Sequence, residues 1–156
     1  MTGFLADVKP DPRFRVVSTL SADEKRLIQI RNDFRLVDVS LDLLAALEKS
    51  GKEFTPIARP KGYRRQRRQG DCFHNAADIA LRDPKATFVE GVAWDMGCGF
   101  HHAWITLDGE HAIDQTWPKL GEAYFGIAVP TKQLALVIAR SEYYGSIITK
   151  LDGAAS

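Results

Sequence analysis

The 156-residue chain is 45% hydrophobic, and its 21 Lys and Arg against 20 Asp and Glu leave a formal charge of +1. That length suits one globular domain with a core that needs no staples, and the balanced charge gives no global attraction to nucleic acid or to an anionic membrane. No run approaches the roughly 20 apolar residues of a membrane span. The first ten residues lack the basic-then-apolar pattern of a leader, and two cysteines are sparse enough to fit a reducing cytoplasm, so Cys72 is read as a free thiol.

In chain order, Pro10 and Pro12 precede a short Phe14-Arg15-Val16-Val17 run that reads as an edge strand or extended arm. Ser21-Ala22-Asp23-Glu24 is a capping box that opens a helix to about Asn32. Ser40 caps a second helix with Leu41, Leu43, Leu44 and Leu47 as its apolar stripe, ending at Gly51, which would take a left-handed C-cap. Residues 52–71 contain Pro56, Pro60 and Gly62 and then Arg64-Arg65-Gln66-Arg67-Arg68-Gln69, without a clean period; they read as loop, with room for a short helix.

Gly70-Asp71 is a turn into a helix that starts at Cys72 and carries Ala76, Ala77, Ile79, Ala80 and Leu81, stopping at Asp83-Pro84. A thiol at a helix start feels the positive end of the dipole, which favours thiolate, the form that attacks carbonyls. Strands are expected over 86–94, 100–107, 110–117 and 124–129, then a helix opened by Pro130-Thr131 and a short strand at Ile147-Ile148. The whole is α+β: residues 1–156 as a single domain, with a helical part and basic loop over 1–68 and a Cys helix on an antiparallel sheet over 69–150.

The hairpin between the second and third of these strands decides which histidine can meet a carboxylate, because residues opposite each other on antiparallel strands share a face. A three-residue Leu107-Asp108-Gly109 loop, with Gly109 left-handed, places His102 across from Asp114. A two-residue Asp108-Gly109 loop would put His101 on the Asp114 face instead. Beside a carboxylate, an imidazole has its tautomer fixed and its protonated form stabilised, which lets it take the Cys72 proton. The oxyanion of such a reaction needs donors, for which the Cys72 N–H and the side-chain amides of Gln66, Gln69 and Gln115 are available.

Asp71-Cys72-Phe73-His74-Asn75, Phe88-Val89-Glu90-Gly91, His102-Ala103-Trp104 and Ile113-Asp114-Gln115-Thr116-Trp117 together resemble the papain-like and transglutaminase-like superfamily of cysteine hydrolases, within it a group of small bacterial and phage proteins. The likeness covers about residues 69–129. It implies Cys72 as nucleophile, His102 as base and acid, and Asp114 as the residue that orients the imidazole. Papain relatives place an oxyanion Gln six residues ahead of the nucleophile, where this chain has Gln66. The superfamily includes peptidases, amidases, deamidases and acyl transferases, so the substrate implied is a peptide, protein or small amide, with no cofactor and no metal.

Arg64, Arg65, Arg67 and Arg68 lead directly into the nucleophile and are expected to line the cleft mouth, favouring acidic or phosphate-bearing substrates. Trp94, Trp104 and Trp117 suit a core, and a tryptophan beside the cleft would wall it; Trp104 is the candidate. His101 is expected on the opposite face, His111 at the surface, and Asn75 as a helix-surface or structural amide. Two rival readings remain: a zinc site drawn from Cys72, Cys98, His101, His102, His111 and Asp114, and a noncatalytic binding module using the Arg-rich loop.

Overall fold

The computed structural model describes residues 20–66, 71–141 and 145–151, so Phe14–Val17 and the candidates Arg67, Arg68 and Gln69 lie outside the described residues. Helix α1 (Ala22–Asp33) begins with both bonds of the capping box: Ser21 Oγ accepts from the Glu24 N–H at 3.1 Å, and Glu24 accepts from the Ser21 N–H at 2.9 Å. After the two-residue strand β1 (Leu36–Val37), Ser40 caps α2 (Leu41–Ser50), which buries Leu43, Leu44 and Leu47.

Gly51 does not form a left-handed cap. Its φ of −74° and ψ of 157° run the chain straight into β2 (Lys52–Pro56), a strand inside the stretch expected to be loop. Glycine is needed there for space, since a Cβ would meet the Leu47 carbonyl oxygen and the Phe125 ring at 2.5 Å. β2 forms because it gains partners on both sides, not because of its own pattern, in which Phe54 alone is buried.

Helix α3 (Cys72–Arg82) packs on β3 (Thr87–Asp95) and β4 (Cys98–Thr106), followed by β5 (His111–Ala112), β6 (Ala123–Val129) and α4 (Thr131–Ser141). The strands form one six-stranded sheet in the order β1-β4-β3-β6-β2-β5. The expectation of an antiparallel sheet holds for its centre only. β1 runs parallel to β4 and β5 parallel to β2, so the sheet is mixed. These edge strands are joined to their partners through long crossovers rather than hairpins, which is the connection parallel pairing requires. Between β3 and β4, Met96 (φ 52°) and Gly97 (φ 74°) make a two-residue primed turn closed by Asp95 and Cys98.

Alternation along the strands divides the core. Phe88, Val92, Ala103 and Ile105 meet the helices, where Ala76, Ala77 and Ala80 let α3 approach closely; Val89, Ala93, Trp104 and Tyr124 form a second cluster with Phe54. The pair Ile147-Ile148 is not a strand but the start of the short helix α5 (Ile148–Leu151). The reason is Glu90, wholly buried on β3, whose carboxylate accepts from the Ile147 and Ile148 N–H groups, from Ser146 Oγ at 2.8 Å and from His101 Nε2 at 3.2 Å. A carboxylate beside free N–H groups favours a helical start over a ladder.

Gly91 on β3 lies between His102 on β4 and Gly126 on β6. A Cβ on Gly91 would fall on the Phe125 carbonyl oxygen and the Gly126 Cα, so Gly91→Ala is expected to cost about 3 kcal/mol in urea unfolding, as overpacking against backbone does. Gly109→Ala is the control. It has open space but a φ of +78°, and should cost only about 1 kcal/mol.

Candidate active site

Cys72 is the first residue of α3, and His102 stands in the middle of β4. The Cys72 side chain comes close enough to the His102 imidazole to raise its pKa, while His102 Nε2 lies 2.8 Å from Asp114 Oδ2. The three expected side chains are therefore brought together, with the His102–Asp114 link a hydrogen bond. All three residues are buried; Cys72 retains 8% exposure, so the sulfur sits under the surface rather than on it.

The His102–Asp114 contact arises through a register different from the expected one. Ile105 bridges Ile113, two residues out of step with a three-residue loop. The connection is longer because Asp108 Oδ1 accepts from the Glu110 and His111 N–H groups, and Thr106 Oγ1 accepts from the Gly109 N–H. A shift of two preserves parity. His102 thus stays on the Asp114 face, while His101 turns to Glu90 on the other. The second strand of the hairpin is also shorter than expected, only His111–Ala112, and pairs with β2.

Asp114 is held from four sides. Its Oδ1 accepts from the Thr116 and Trp117 N–H groups at 2.9 and 3.1 Å, and its Oδ2 accepts from Tyr124 Oη–H at 2.8 Å as well as facing His102. Burial pushes the carboxyl up most strongly, but the bond to His102, its charge and the two backbone donors together bring it below the ordinary carboxylate value. His102 shows the complementary balance. Desolvation is the largest influence and lowers it, yet the bonds and charges of Asp114 and Cys72 push it up to about 9. Tyr124 is raised far above an ordinary phenol by burial and then by the Asp114 charge, so it stays protonated as a donor.

The segment that carries Asp114 is pinned from outside the sheet. Arg59 donates to the Asp114 carbonyl at 3.0 Å, Arg65 Nε to the Thr116 carbonyl at 3.3 Å, and the Gln66 N–H to the Gln115 carbonyl at 2.7 Å. From α3, the buried Asn75 donates through Nδ2 to Thr116 Oγ1 at 3.0 Å, a structural amide rather than a helix-surface one. Trp117 lies over the His102 ring at 4.3 Å between centroids and 26° between planes. It excludes water from one side of the His102–Asp114 contact.

Of the remaining candidates, Gln66 is half-buried and, with Arg64, lines a cavity of about 240 Å³ beside Arg82 and Asp83. The Gln115 amide is buried, and neither its nitrogen nor its oxygen finds a partner among the described residues. Trp104 does not wall a cleft: it is wholly buried in the second core cluster, edge-on to Phe54 and Tyr124, with Gly126 backed against its ring. The pattern at 102–105 marks it equally as strand core, and core is what it is. Tyr124, Trp117 and Arg59 join the site without having been singled out for it. Trp117 falls inside the Ile113–Trp117 motif, whereas Tyr124 and Arg59 carry no local signal.

Cys98 is a free thiol, as is Cys72. His111 is paired with Asp108 at the hairpin tip. Among the described residues no group of three or more His, Cys, Asp or Glu side chains is gathered for a metal. Comparison with family models, with curated proteins and with solved structures finds no match to the chain.

Proposed function

We propose that the chain is a thiol hydrolase or acyl transferase of the papain-like kind that acts on an amide. The observation that supports this reading is the continuous series from the Cys72 thiol through the His102 imidazole to a carboxylate with four donors. In this scheme His102 takes the Cys72 proton as the sulfur attacks. The thiolate attacks the carbonyl carbon, His102 gives its proton to the departing nitrogen, and an acyl-thioester remains. His102 then takes a proton from water or an acceptor amine, which releases the acyl group and restores the thiol.

The Cys72 N–H, which as the first of a helix has no intrahelical acceptor, and an amide from Gln66 or Gln115 are the oxyanion donors in this scheme. Arg64 and Arg65 give the approach to Cys72 a preference for acidic substrates, with Arg67 and Arg68 as further cations of the same run. Two free cysteines fit a reducing compartment, and we assign the cytoplasm. No helix among the described residues is long and apolar enough to cross a membrane.

Iodoacetamide tests the reading, because only thiolate reacts. At pH 6, peptide mapping should show Cys72 alkylated at least about tenfold faster than Cys98, and His102→Asn should abolish that advantage. Equal rates at the two cysteines, or an unchanged rate in His102→Asn, would remove the basis of the proposal.

A further inference from the structure

One cavity lies apart from Cys72, which is not among its lining residues. It measures about 630 Å³ and opens between α1, α2 and the ends of β3 and β6. Its walls are almost wholly apolar, with Leu27, Leu47 and Val92 among them, and the aromatic residues Phe34, Trp94, Tyr124 and Phe125 also line it. Such a volume and lining match sites for small organic ligands. The ionised side chains that line it are three carboxylates, Glu48, Glu53 and Glu122; no Lys, Arg or His is present among the lining residues.

The charge at this cavity is not cancelled locally. Glu48 pairs with Arg26, which also binds Asp23. Glu53 and Glu122 are exposed and no ion pair engages either among the described residues. Lys52, the nearest cation along β2, places its ammonium 5.0 Å from the centre of the Phe54 ring, which belongs to the second core cluster and not to the cavity. An apolar hollow edged by unneutralised carboxylates and aromatic rings favours a ligand with an apolar body and a positive head, through burial of the body and through ion and ring contacts to the head.

We propose that this cavity is a second binding site, separate from Cys72, for a cationic amphiphile: an aliphatic or aromatic body carrying an alkylammonium group. The apolar walls take the body, and Glu53 and Glu122 take the head. The preference over an anionic amphiphile of the same length follows from the carboxylates alone, so it is independent of whether Cys72 is a nucleophile.

Calorimetric titration of the full chain with decylammonium, decanol and decanoate at low ionic strength tests this, with tryptophan fluorescence reporting on Trp94. Decylammonium should bind one per chain, more tightly than decanol, with decanoate weakest. The double variant Glu53→Gln/Glu122→Gln should lose about tenfold in affinity for decylammonium and nothing for decanol, the scale of two partly solvated ion contacts. Ile30→Trp, which fills the hollow from α1, should abolish binding of all three while circular dichroism is retained; if it fails to fold, the charge variant decides alone. Decanoate binding as well as decylammonium, no binding by any probe at millimolar concentration, or a chain that dimerises over this face and excludes the probes would each overturn the proposal.

Discussion

Asp114→Asn is expected to slow acylation of Cys72 by about 10³- to 10⁴-fold while leaving the fold intact. Asparagine keeps one acceptor oxygen for the Thr116 and Trp117 N–H groups that Asp114 Oδ1 now serves. Its amide nitrogen then faces His102 Nε2 and Tyr124, where a carboxylate oxygen used to accept. To meet an N–H donor, Nε2 must become the acceptor, which moves the ring proton to Nδ1 and leaves no base toward Cys72. The burst of p-nitrophenolate from an activated ester measures the step. A variant that stays within tenfold of the parent would show that the carboxylate does not orient the ring. Asp114→Ala is a different experiment, since four donors lose their acceptor in a buried place, and an unfolding cost of about 3–5 kcal/mol is expected instead.

The second large effect is on stability against pH. His102 is raised from about 6.5 to about 9 in the folded protein, so the folded state holds a proton that the unfolded chain gives up earlier. Its contribution is full below about pH 6.5 and is lost as pH rises through about 9, a difference on the order of 3 kcal/mol. Asp114, lowered by its donors, acts in the other direction: its contribution is present above the ordinary carboxylate range and is lost in acid. Urea midpoints should therefore fall steadily between pH 6.5 and 9 in the parent and stay nearly flat in His102→Asn. A flat profile in the parent would mean that the imidazole is not held as a cation.

What could be read from the residues beforehand was what local chemistry controls. Ser21 with Glu24 and Ser40 with the Leu43 N–H fix two helix starts by bonds within one turn. The Cys72 helix follows from Gly70-Asp71 before it and Asp83-Pro84 after it. The choice of His102 over His101 survived an incorrect register because alternation depends on parity and not on loop length. Features made by distant pairing were not legible: β2 and the two-residue edges β1 and β5 exist through their partners. Tyr124 carries no mark that its hydroxyl ends on Asp114. Burial of Trp104 was equally beyond a local reading, because it depends on Gly126, a residue of another strand, lacking a side chain.

Glu90 binds residues some 57 positions further along, in the last turn of described structure. A ribosome that releases a product ending before Ser146 would therefore yield more than a shortened polypeptide. The central strand would keep a buried carboxyl group with three of its donors missing, a penalty that is a large share of the whole margin of a small domain. Loss of the segment from Ser146 onward is a lesion of folding, and the sheet cannot close around Glu90 until that segment has been made.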